Sequence, residues 1–560
     1  MSSSHFHVQS LKLPMIQSTS NALLHHRGGG TGSSECGKDS PSMVITDREP
    51  NIEYPMMDHI SMSQEYGMIF MDQFCPYHSV YLARRAREVY GISTISCLST
   101  YVAGYLTSKV KTNDDDENNN ILQSIEKTIV PRMDEIEVWR NKLPPGYKIV
   151  NIYCESDSGL EECELLSEAL NPIYHNGYNP ARRDKYKMNE TVQKYGLRTV
   201  RQAMCSTKNE ALEFAQNELG VTDDTKGSDG IDINESLENR KIANNDQIDG
   251  GFINTGKLGR ASNLPQSNIS PKAYCVVKPK RGVASDDVFL CSTLEEVASA
   301  FDKIHKSFVF GSISGESNDA VLVQEFALGT EYALDIVSKN GEHKVAALWR
   351  YDKRPANGSS FIYFATECID ATSGVGKEVC EYAMKVLDSL GLQHGLTHTE
   401  VIVDKVHGPR LVEVNCRQHN TNFAPLTMAS IGYNAFDMLL AAYLGDLPNL
   451  PPETAHMRLE WNDIPSLPRT QAFSAVVHLV CFVEGTLTNI REDIVDEIQN
   501  LPSVQYFEIY DHFEVGGRVD KTIDIRSDSG WVHLINDDED QFQRDYNRIV
   551  DLMPELFQVQ

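Results

Sequence analysis

The sequence has few basic residues for its length. Lys and Arg total 51 against 79 Asp and Glu, which leaves a formal net charge of −28. A surface of that sign disfavours nucleic-acid phosphates and anionic lipid, because both select basic patches. We therefore expect neither a nucleic-acid partner nor a membrane partner.

Long apolar runs and paired cysteines are also absent. The longest strongly apolar run, Ala472 to Val483, is interrupted by His478 and falls short of the ~20 residues that a membrane-spanning helix needs. The twelve cysteines form no CxxC pair and no zinc-type spacing, so we expect reduced thiols in a cytoplasmic protein. Organelle import is the weaker alternative, because Met1 to Ser34 is rich in Ser and lacks acidic residues but has few arginines.

What the sequence does contain is an alternation of strand and helix patterns. Residues 63–180 show a strand–helix–strand order, which predicts a Rossmann-like domain with a parallel sheet. Residues 1–62 are predicted to be a disordered tail. Residues 222–270 are rich in Asn, Asp, Gly and Ser, and we expect a disordered insertion there because such a composition buries little apolar surface. The whole chain is predicted to be a multidomain protein of mixed α/β and α+β class.

The segment CVVKPKRGVASDDV indicates a phosphate-binding loop. Lys278 ends an apolar strand, and the loop that follows contains Gly282 and Ser285. An ammonium group and backbone N–H groups placed in this way can bind phosphates. An ordinary surface hairpin with basic residues is the alternative. A second basic group, Arg183 to Lys185, lies at a predicted helix start.

The segment VQEFALGTE indicates a nucleoside-binding linker. Its strand runs into a short linker, whose backbone can bind the edge of an adenine ring. Glu331 can then accept hydrogen bonds from ribose hydroxyls, because an ionised carboxylate is an acceptor only. A strand that ends in a turn at Gly329 is the alternative.

The most informative group of residues lies in THTEVIVD and LVEVNCRQHN. Glu413 and Asn415 alternate along a strand and share a face, and Glu400 on the preceding strand can lie opposite. Two carboxylates and an amide oxygen are ligands that suit Mg²⁺. Arg417, one step further, can stabilise charge on a transferring phosphoryl group. A solvated strand face would explain the alternation but not the apolar residues between the charges.

Together these motifs resemble the ATP-grasp superfamily, and within it the carboxylate–amine ligases of the L-amino-acid-ligase type. The resemblance implies an ATP-grasp domain of two subdomains over residues 181–445 and a small C-terminal α+β domain over 446–560. It implies an ATP-dependent carbon–nitrogen ligase that activates a carboxylate as an acylphosphate for attack by an amine, with release of ADP and phosphate. A non-catalytic ATP-binding regulator, or an enzyme resembling biotin carboxylase or glycinamide ligase, is the alternative.

The resemblance also implies roles for individual residues. Arg417 would be the catalytic arginine, and Glu400, Glu413 and Asn415 would bind Mg²⁺ or Mn²⁺. The implied ATP-binding residues are Lys185, Lys278, Ser285, Gln324, Glu325, Phe326, Ala327 and Glu331. The sequence departs from the family in its phosphate loop, which carries Asp286 and Asp287, and in QHNTN after Arg417, where a glycine-rich turn is expected.

A cationic group predicts where a substrate carboxylate binds. Arg350, Lys353 and Arg354 crowd a predicted strand-to-loop junction in an otherwise acidic protein. Such a group can pair with a carboxylate, although a surface turn neutralised by local acids is an equal alternative. We expect small-molecule acid and amine substrates, and a homodimer is a further prediction.

Overall fold

The computed structural model describes residues 63–109, 140, 146–223, 273–282, 287–309, 316–404 and 407–560. The predicted tail, almost all of the predicted insertion, and Ser285 and Asp286 of the phosphate loop lie outside these residues. The predicted domain boundaries stay predictions.

The N-terminal part is a three-stranded parallel sheet with helical crossovers. Its elements are β1 (Ser63–Met71), α1 (Ser79–Tyr90), β2 (Ile92–Cys97), α2 (Thr100–Lys109), β3 (Lys148–Cys154) and α3 (Leu160–Leu170). The strand order is β2-β1-β3. Met71 pairs with both Cys97 and Cys154, so the carboxyl ends of the three strands meet at one edge. Ligands bind at such edges in open parallel sheets.

A four-stranded antiparallel sheet follows. Its elements are α4 (Lys185–Lys194), β4 (Gln202–Cys205), α5 (Lys208–Asn217), β5 (Cys275–Lys278), β6 (Phe289–Cys291), α6 (Leu294–Ile304) and β7 (Val321–Glu325). The strand order is β4-β7-β5-β6. Helices α5 and α6 begin with capping boxes at Thr207 and Thr293 and bury their apolar stripes against this sheet. The predicted basic hairpin is formed by β5 and β6.

The largest element is an eight-stranded sheet that continues into the C-terminal part. Its first members and their helices are β8 (Thr330–Lys339), β9 (Glu342–Ala356), β10 (Ser359–Ile369), α7 (Gly374–Ser389), β11 (Gly395–Asp404), β12 (Gly408–Asn415), α8 (Ala424–Ser430) and α9 (Ala435–Leu444). The C-terminal elements are β13 (Phe473–His478), β14 (Gly485–Ile490), α10 (Glu492–Gln499), β15 (Val504–Ile509), β16 (Arg518–Val519), β17 (Gly530–Asn536), α11 (Glu539–Leu552) and β18 (Phe557–Val559). The strand order is β12-β11-β8-β9-β10-β13-β17-β15, so three C-terminal strands extend the central sheet. The other three, β14, β16 and β18, pair with one another.

The two faces of the large sheet have different surroundings. On the side called here the core face, Leu334 and Leu348 pack against Val379 of α7, and Val477 packs near Tyr546 of α11. On the opposite side, called the cleft face, the apolar residues pack on α8, and a group of ionisable side chains lies toward β5 and α4. Register pairing assigns to this cleft face Glu331, Asp335, Tyr351, Lys353, His398, Glu400, Glu413 and Asn415.

A helix that crosses a bilayer must be long and predominantly apolar. None of the helices in the described ranges is both long enough and apolar enough to do so.

Candidate active site

Two carboxylates lie side by side on the cleft face. Glu400 of β11 and Glu413 of β12 are direct partners in the antiparallel register. Asn415 Nδ2 donates to Glu413 Oε1 at 2.8 Å, which confirms that these two side chains share a face. The sequence placed these three groups together correctly, because the period of a strand sets which side each residue faces.

Two lysines from other elements lie close to this pair of carboxylates. Lys185, the first residue of α4, places its Nζ 2.7 Å from Glu413 Oε2. Its Nζ also donates to the Gly282 carbonyl at 3.4 Å, which joins α4 to the start of the phosphate loop. Lys278 at the end of β5 is buried, and burial together with the charge of Lys185 lowers its pKa to about 8. The ammonium of Lys185 in turn helps to hold the pKa of Glu413 well below its usual range, although burial opposes this shift.

Glu331, the residue predicted to bind ribose, also lies in the cleft. Both oxygens of Glu331 accept hydrogen bonds from Lys353 Nζ at 2.8 Å. Burial raises the pKa of Glu331, while the carboxylate of Glu331 raises the pKa of Lys353 against the effect of burial. Of the three predicted substrate cations, Lys353 is therefore in the cleft.

The other two cations are not in the cleft, and the predicted cationic group does not form. Residues 350–354 lie inside β9 and not at a strand-to-loop junction, so alternate side chains point to opposite faces. Arg350 forms a close ion pair with Glu367 on the core face. Arg354 Nη2 lies 2.6 Å from Asp352 Oδ2 and 2.9 Å from the Tyr546 hydroxyl. Both arginines are neutralised by local acids, which is the alternative that the sequence left open, and the structure does not support their predicted role at the substrate.

The predicted adenine linker leaves β7 beside an aromatic group. The ring of Phe326 contacts those of Tyr274 and Phe361. Gln324 is buried and donates its amide to Gln202 Oε1 at 2.9 Å, which orients the side chain. Ala327 is half-buried beyond it.

Glu325 and Gly329 fix the two ends of this linker. The Glu325 carboxylate pairs with Arg201 and Arg410, so its side chain is engaged within the protein. Gly329 has φ of 148°, and a Cβ there would lie 2.1 Å from the Val403 carbonyl oxygen. Glycine at this position therefore lets the linker approach β11 closely.

Arg417 connects the cleft to the N-terminal sheet. Its Nε donates to Asp157 Oδ1 at 2.7 Å, and Arg183 lies 3.5 Å from the same oxygen. Gly159 holds the cap position of α3, and no side chain caps the helix, so Asp157 is not used as a cap. The acid at the end of β3 instead positions the arginine predicted to be catalytic.

Sequence reasoning missed a second layer of polar residues behind Glu400. His398 Nε2 lies 3.2 Å from Glu400 Oε1, and the Tyr351 hydroxyl lies 3.2 Å from His419 Nε2. Burial lowers the pKa of His398, but Asp335 and Glu400 outweigh it and raise that pKa to about 9. His398 stands two residues before Glu400, on the same face of one strand, and this spacing was the available signal.

A small pocket adjoins this layer. It is lined by polar and apolar side chains from β8, β9, β11, α8, α9 and the segment after Arg417. Those lining residues are Asp335, Ala347, Leu396, Gln418, His419, Thr421, Phe423, Ala424, Thr427, Asn434, Ala435 and Phe436. The segment QHNT, which stands where a glycine-rich turn is expected, thus supplies three of the residues that line the pocket.

Comparison with known protein families identifies the central part of the chain. Residues 272–423, which contain the strands carrying Lys278, Glu400 and Glu413, match the ATP-grasp domain family. Residues 272–423 of this chain therefore form an ATP-grasp domain.

Individual relatives agree with the ATP-grasp assignment. The chain is 23% identical over 406 residues to dapdiamide A synthase of Enterobacter agglomerans, covering 72% of this chain and 78% of that protein. It is similar in fold to the L-amino acid ligase of Bacillus licheniformis, with a TM-score of 0.55 and 14% identity over 89% of this chain and all of the other. A carboxyaminoimidazole ribonucleotide synthase of Aspergillus clavatus, solved with ATP, has a TM-score of 0.50 and 12% identity over 88% of this chain and 100% of that one.

These findings confirm three predictions made from the sequence. The multidomain α/β and α+β fold, the membership in the superfamily and the class of ATP-dependent carbon–nitrogen ligase are all confirmed. The use of ATP follows from the same family, whereas the roles of individual residues stay predictions.

Proposed function

We propose that this ATP-grasp ligase activates the carboxylate of an amino acid or another small acid as an acylphosphate and passes the acyl group to an amine. The observation that carries the proposal is the ion pair between Lys185 and Glu413, 2.7 Å apart, beside Glu400 and the buried Lys278. Acids and cations from four separate elements meet in one cleft, and this arrangement suits a polyphosphate with a divalent cation.

ATP is proposed to lie between the two antiparallel sheets. Lys185 and Lys278 would bind its phosphates, and Ser285, which lies outside the described residues, is predicted to bind ATP as well. The Gln324 side chain and the backbone of residues 325–327 would bind adenine, with the ring of Phe326 beside it, and Glu331 would accept from the ribose hydroxyls. The ion pair with Lys353 favours the ionised form of Glu331 that this role requires, although burial raises the pKa of Glu331 overall.

The donor set fits a magnesium ion. Glu400 and Glu413 are neighbouring carboxylates, and the Asn415 amide lies beside them, which gives oxygen ligands and excess negative charge. These three residues would hold Mg²⁺ or Mn²⁺, and the ion would supply charge neutralisation on the phosphate oxygens.

The proposed chemistry proceeds in two displacements. A substrate carboxylate oxygen attacks the γ-phosphorus of ATP, the bond to the bridging oxygen breaks, and ADP leaves. The amine nitrogen then attacks the acyl carbon, phosphate leaves with the bonding electrons, and the amine loses a proton. Arg417, held by Asp157, would balance charge on the transferring groups, and the lysines would position the phosphates.

The small pocket is the proposed binding place for an amino-acid-sized substrate. Gln418 and His419, which follow Arg417 in the chain, line it together with Phe423, Phe436 and the polar side chain of Asn434. A mixed lining of this kind suits a compact organic ligand with one apolar and one polar end. The similarity to a dapdiamide synthase supports an amino-acid-derived substrate.

A screen of ADP release tests this proposal. The full chain is incubated with ATP, Mg²⁺ and pairs of amino acids, and products are identified by mass. We expect ADP and a condensed amide in equal amounts for at least one pair, and none with either acid or amine omitted. ADP release with bicarbonate or with phosphoribosylamine and glycine would instead support a carboxylase-like or glycinamide-ligase-like enzyme. Nucleotide binding without any ADP release would support a regulator and overturn the proposal.

A further inference from the structure

A buried group of side chains lies behind the nucleotide cleft, and two of its members also line the small pocket proposed for the substrate. Asp335 of β8, His398 of β11 and His419 after β12 each offer one ligand atom, and these atoms lie within 4.8 Å of one another. Asp335 and His398 are each 4% exposed, and the His419 side chain is 10% exposed. Two imidazoles and one carboxylate converging away from solvent are a frequent ligand set for transition metals.

Among the described residues, the three converging atoms have only one another as polar partners, at distances longer than normal hydrogen bonds. Asp335 Oδ1, His398 Nδ1 and His419 Nδ1 are all buried, and none of them makes a hydrogen bond. His398 Nδ1 lies 3.5 Å and His419 Nδ1 lies 3.8 Å from Asp335 Oδ1. Because buried polar atoms are nearly always satisfied, three such atoms facing one point indicate a missing ligand.

The spacing of these atoms is that of ligands around a metal ion. With bonds of about 2.1 Å, tetrahedral ligand atoms lie about 3.4 Å from one another. The two separations from Asp335 Oδ1, 3.5 and 3.8 Å, are close to this value and too long for strong direct hydrogen bonds, and all three ligand atoms lie within 4.8 Å of one another.

The outer contacts also follow the pattern of a metal site. Metal-bound histidines usually donate their second N–H to a carboxylate or another acceptor. His398 Nε2 lies 3.2 Å from Glu400 Oε1, and His419 Nε2 lies 3.2 Å from the Tyr351 hydroxyl. The second oxygen of Asp335 accepts from Trp349 Nε1 at 2.7 Å, which fixes the carboxylate.

A neighbouring cluster of possible ligands differs, because its polar atoms already have hydrogen-bonding partners. Cys75, His78 and Glu155 also lie within ligand distance of one another. However, the Glu155 carboxylate accepts the backbone N–H groups of Cys75 and Ser79, and both nitrogens of His78 have hydrogen-bonding partners. Burial raises the pKa of the Cys75 thiol to about 12, which disfavours the thiolate that a metal needs.

We propose that Asp335, His398 and His419 bind a divalent transition metal of the zinc class, separate from the magnesium of the nucleotide site. Two nitrogen ligands select such a metal over Mg²⁺, which takes oxygen ligands. Asp335 and His419 also line the small pocket, so water or a donor atom of a bound ligand completes the coordination. Through His398 the metal fixes the orientation of Glu400, which makes His398 a positioning residue.

Metal analysis of the full chain tests the proposal. The protein is dialysed against a chelator, reloaded with Zn²⁺ or Co²⁺ without nucleotide, and its metal content is measured by mass spectrometry. We expect one tightly bound ion per chain, a visible absorption spectrum typical of tetrahedral Co²⁺, and a higher unfolding temperature on reloading. His419→Asn and Asp335→Asn should lose all three signals.

Three control variants locate the bound ion. His407→Asn removes an exposed histidine from the same β11–β12 hairpin and should keep the metal. His78→Asn tests the neighbouring cluster and Glu413→Gln tests the nucleotide site, and both should also keep it. Absence of bound metal in the parent protein, retention in both His419→Asn and Asp335→Asn, or loss in Glu413→Gln or His78→Asn alone would overturn the proposal. Circular dichroism confirms that each variant is folded.

Discussion

The two faces of strand β9 use the same kinds of charged residue for different purposes. On the core face, Arg350 pairs with Glu367, and Arg354 pairs with Asp352 and contacts Tyr546 of helix α11. On the cleft face, Lys353 pairs with Glu331 at the edge of a larger group of acids and cations. Adjacent residues of one strand therefore stabilise the fold on one side and face the proposed nucleotide on the other.

The two faces differ in whether their charged groups can exchange a partner within the protein for a ligand. Each core-face arginine has a dedicated acid, so little is left for a ligand. In the cleft, Glu413 is shared by Lys185 and Asn415, and Lys278 lies against Lys185 and has a pKa of about 8. A polyphosphate and a cation can replace these contacts at low cost, because the partners are already arranged for them.

The largest expected effect comes from Glu413 on the cleft face. In Glu413→Gln, we expect the rate of ADP formation to fall by about 10²–10³-fold, because a ligand to the metal and a partner of Lys185 are removed together. The rate is measured by coupled ADP assay at saturating substrates. The core-face variant Glu367→Gln is the matched control and should keep its turnover. A Glu413→Gln enzyme with normal turnover would remove the metal assignment.

The second effect concerns Lys278. In Lys278→Met, we expect KM for ATP to rise by about 10–100-fold, because a buried cation facing the phosphates is lost. Lys278→Arg should recover most of the affinity. Initial rates over a range of ATP concentrations give both values, and equal KM values for Met and Arg variants would show that the charge at this position is not used.

On the core face, the expected effect is on stability alone. Arg354→Met leaves Asp352 buried with only the Tyr546 hydroxyl as a partner. We expect the free energy of unfolding to fall by about 2–3 kcal/mol, while kcat/KM stays within about twofold. Denaturant titration and steady-state kinetics check the two parts, and a selective rise in the KM for the acid would restore Arg354 as a substrate ligand.

The smallest effect involves Glu155, an acid of the N-terminal sheet without an opposite charge in contact. Burial raises its pKa to about 7, although Ser79 and the backbone N–H groups of Cys75 and Ser79 oppose the shift. Between the ordinary pKa and about 7, the folded chain keeps a proton that the unfolded chain has lost. The free energy of unfolding should therefore decrease by about 1–2 kcal/mol from about pH 5.5 to about pH 7 through this residue.

Glu155→Gln isolates that contribution. Because glutamine does not titrate, the variant should show a correspondingly flatter pH dependence in denaturant titrations. Identical slopes for parent and variant would show that Glu155 is ionised in the folded protein, as the paired acids of the cleft are.

Much of the secondary structure could be predicted from the sequence. Strands Ile92–Cys97 and Lys148–Cys154 and helix Leu160–Leu170 are observed with the boundaries expected from their apolar spacing. The shared face of Glu413 and Asn415 was equally accessible, because strand period depends on sequence alone. The same rule applies to β9. The sequence instead indicated a strand-to-loop junction at these residues, and Arg350 and Arg354 were therefore assigned to the substrate together with Lys353.

The contacts between distant elements were not accessible in the same way. No local pattern shows that Asp157 holds Arg417, or that the histidines His398 and His419 approach one carboxylate. Motif resemblance brought Lys185 and Glu413 to one site, but not their direct ion pair.

By itself the sequence determined the strands, their facing residues and the chemical groups available for ATP and metal. Only the tertiary structure decided which of those groups meet, which arginines are neutralised and where unsatisfied atoms converge. The physical reason is that side-chain direction follows from the backbone period of a few residues. Contact between elements depends instead on strand order and packing. These are set by how the apolar faces of all the helices and sheets are buried against one another.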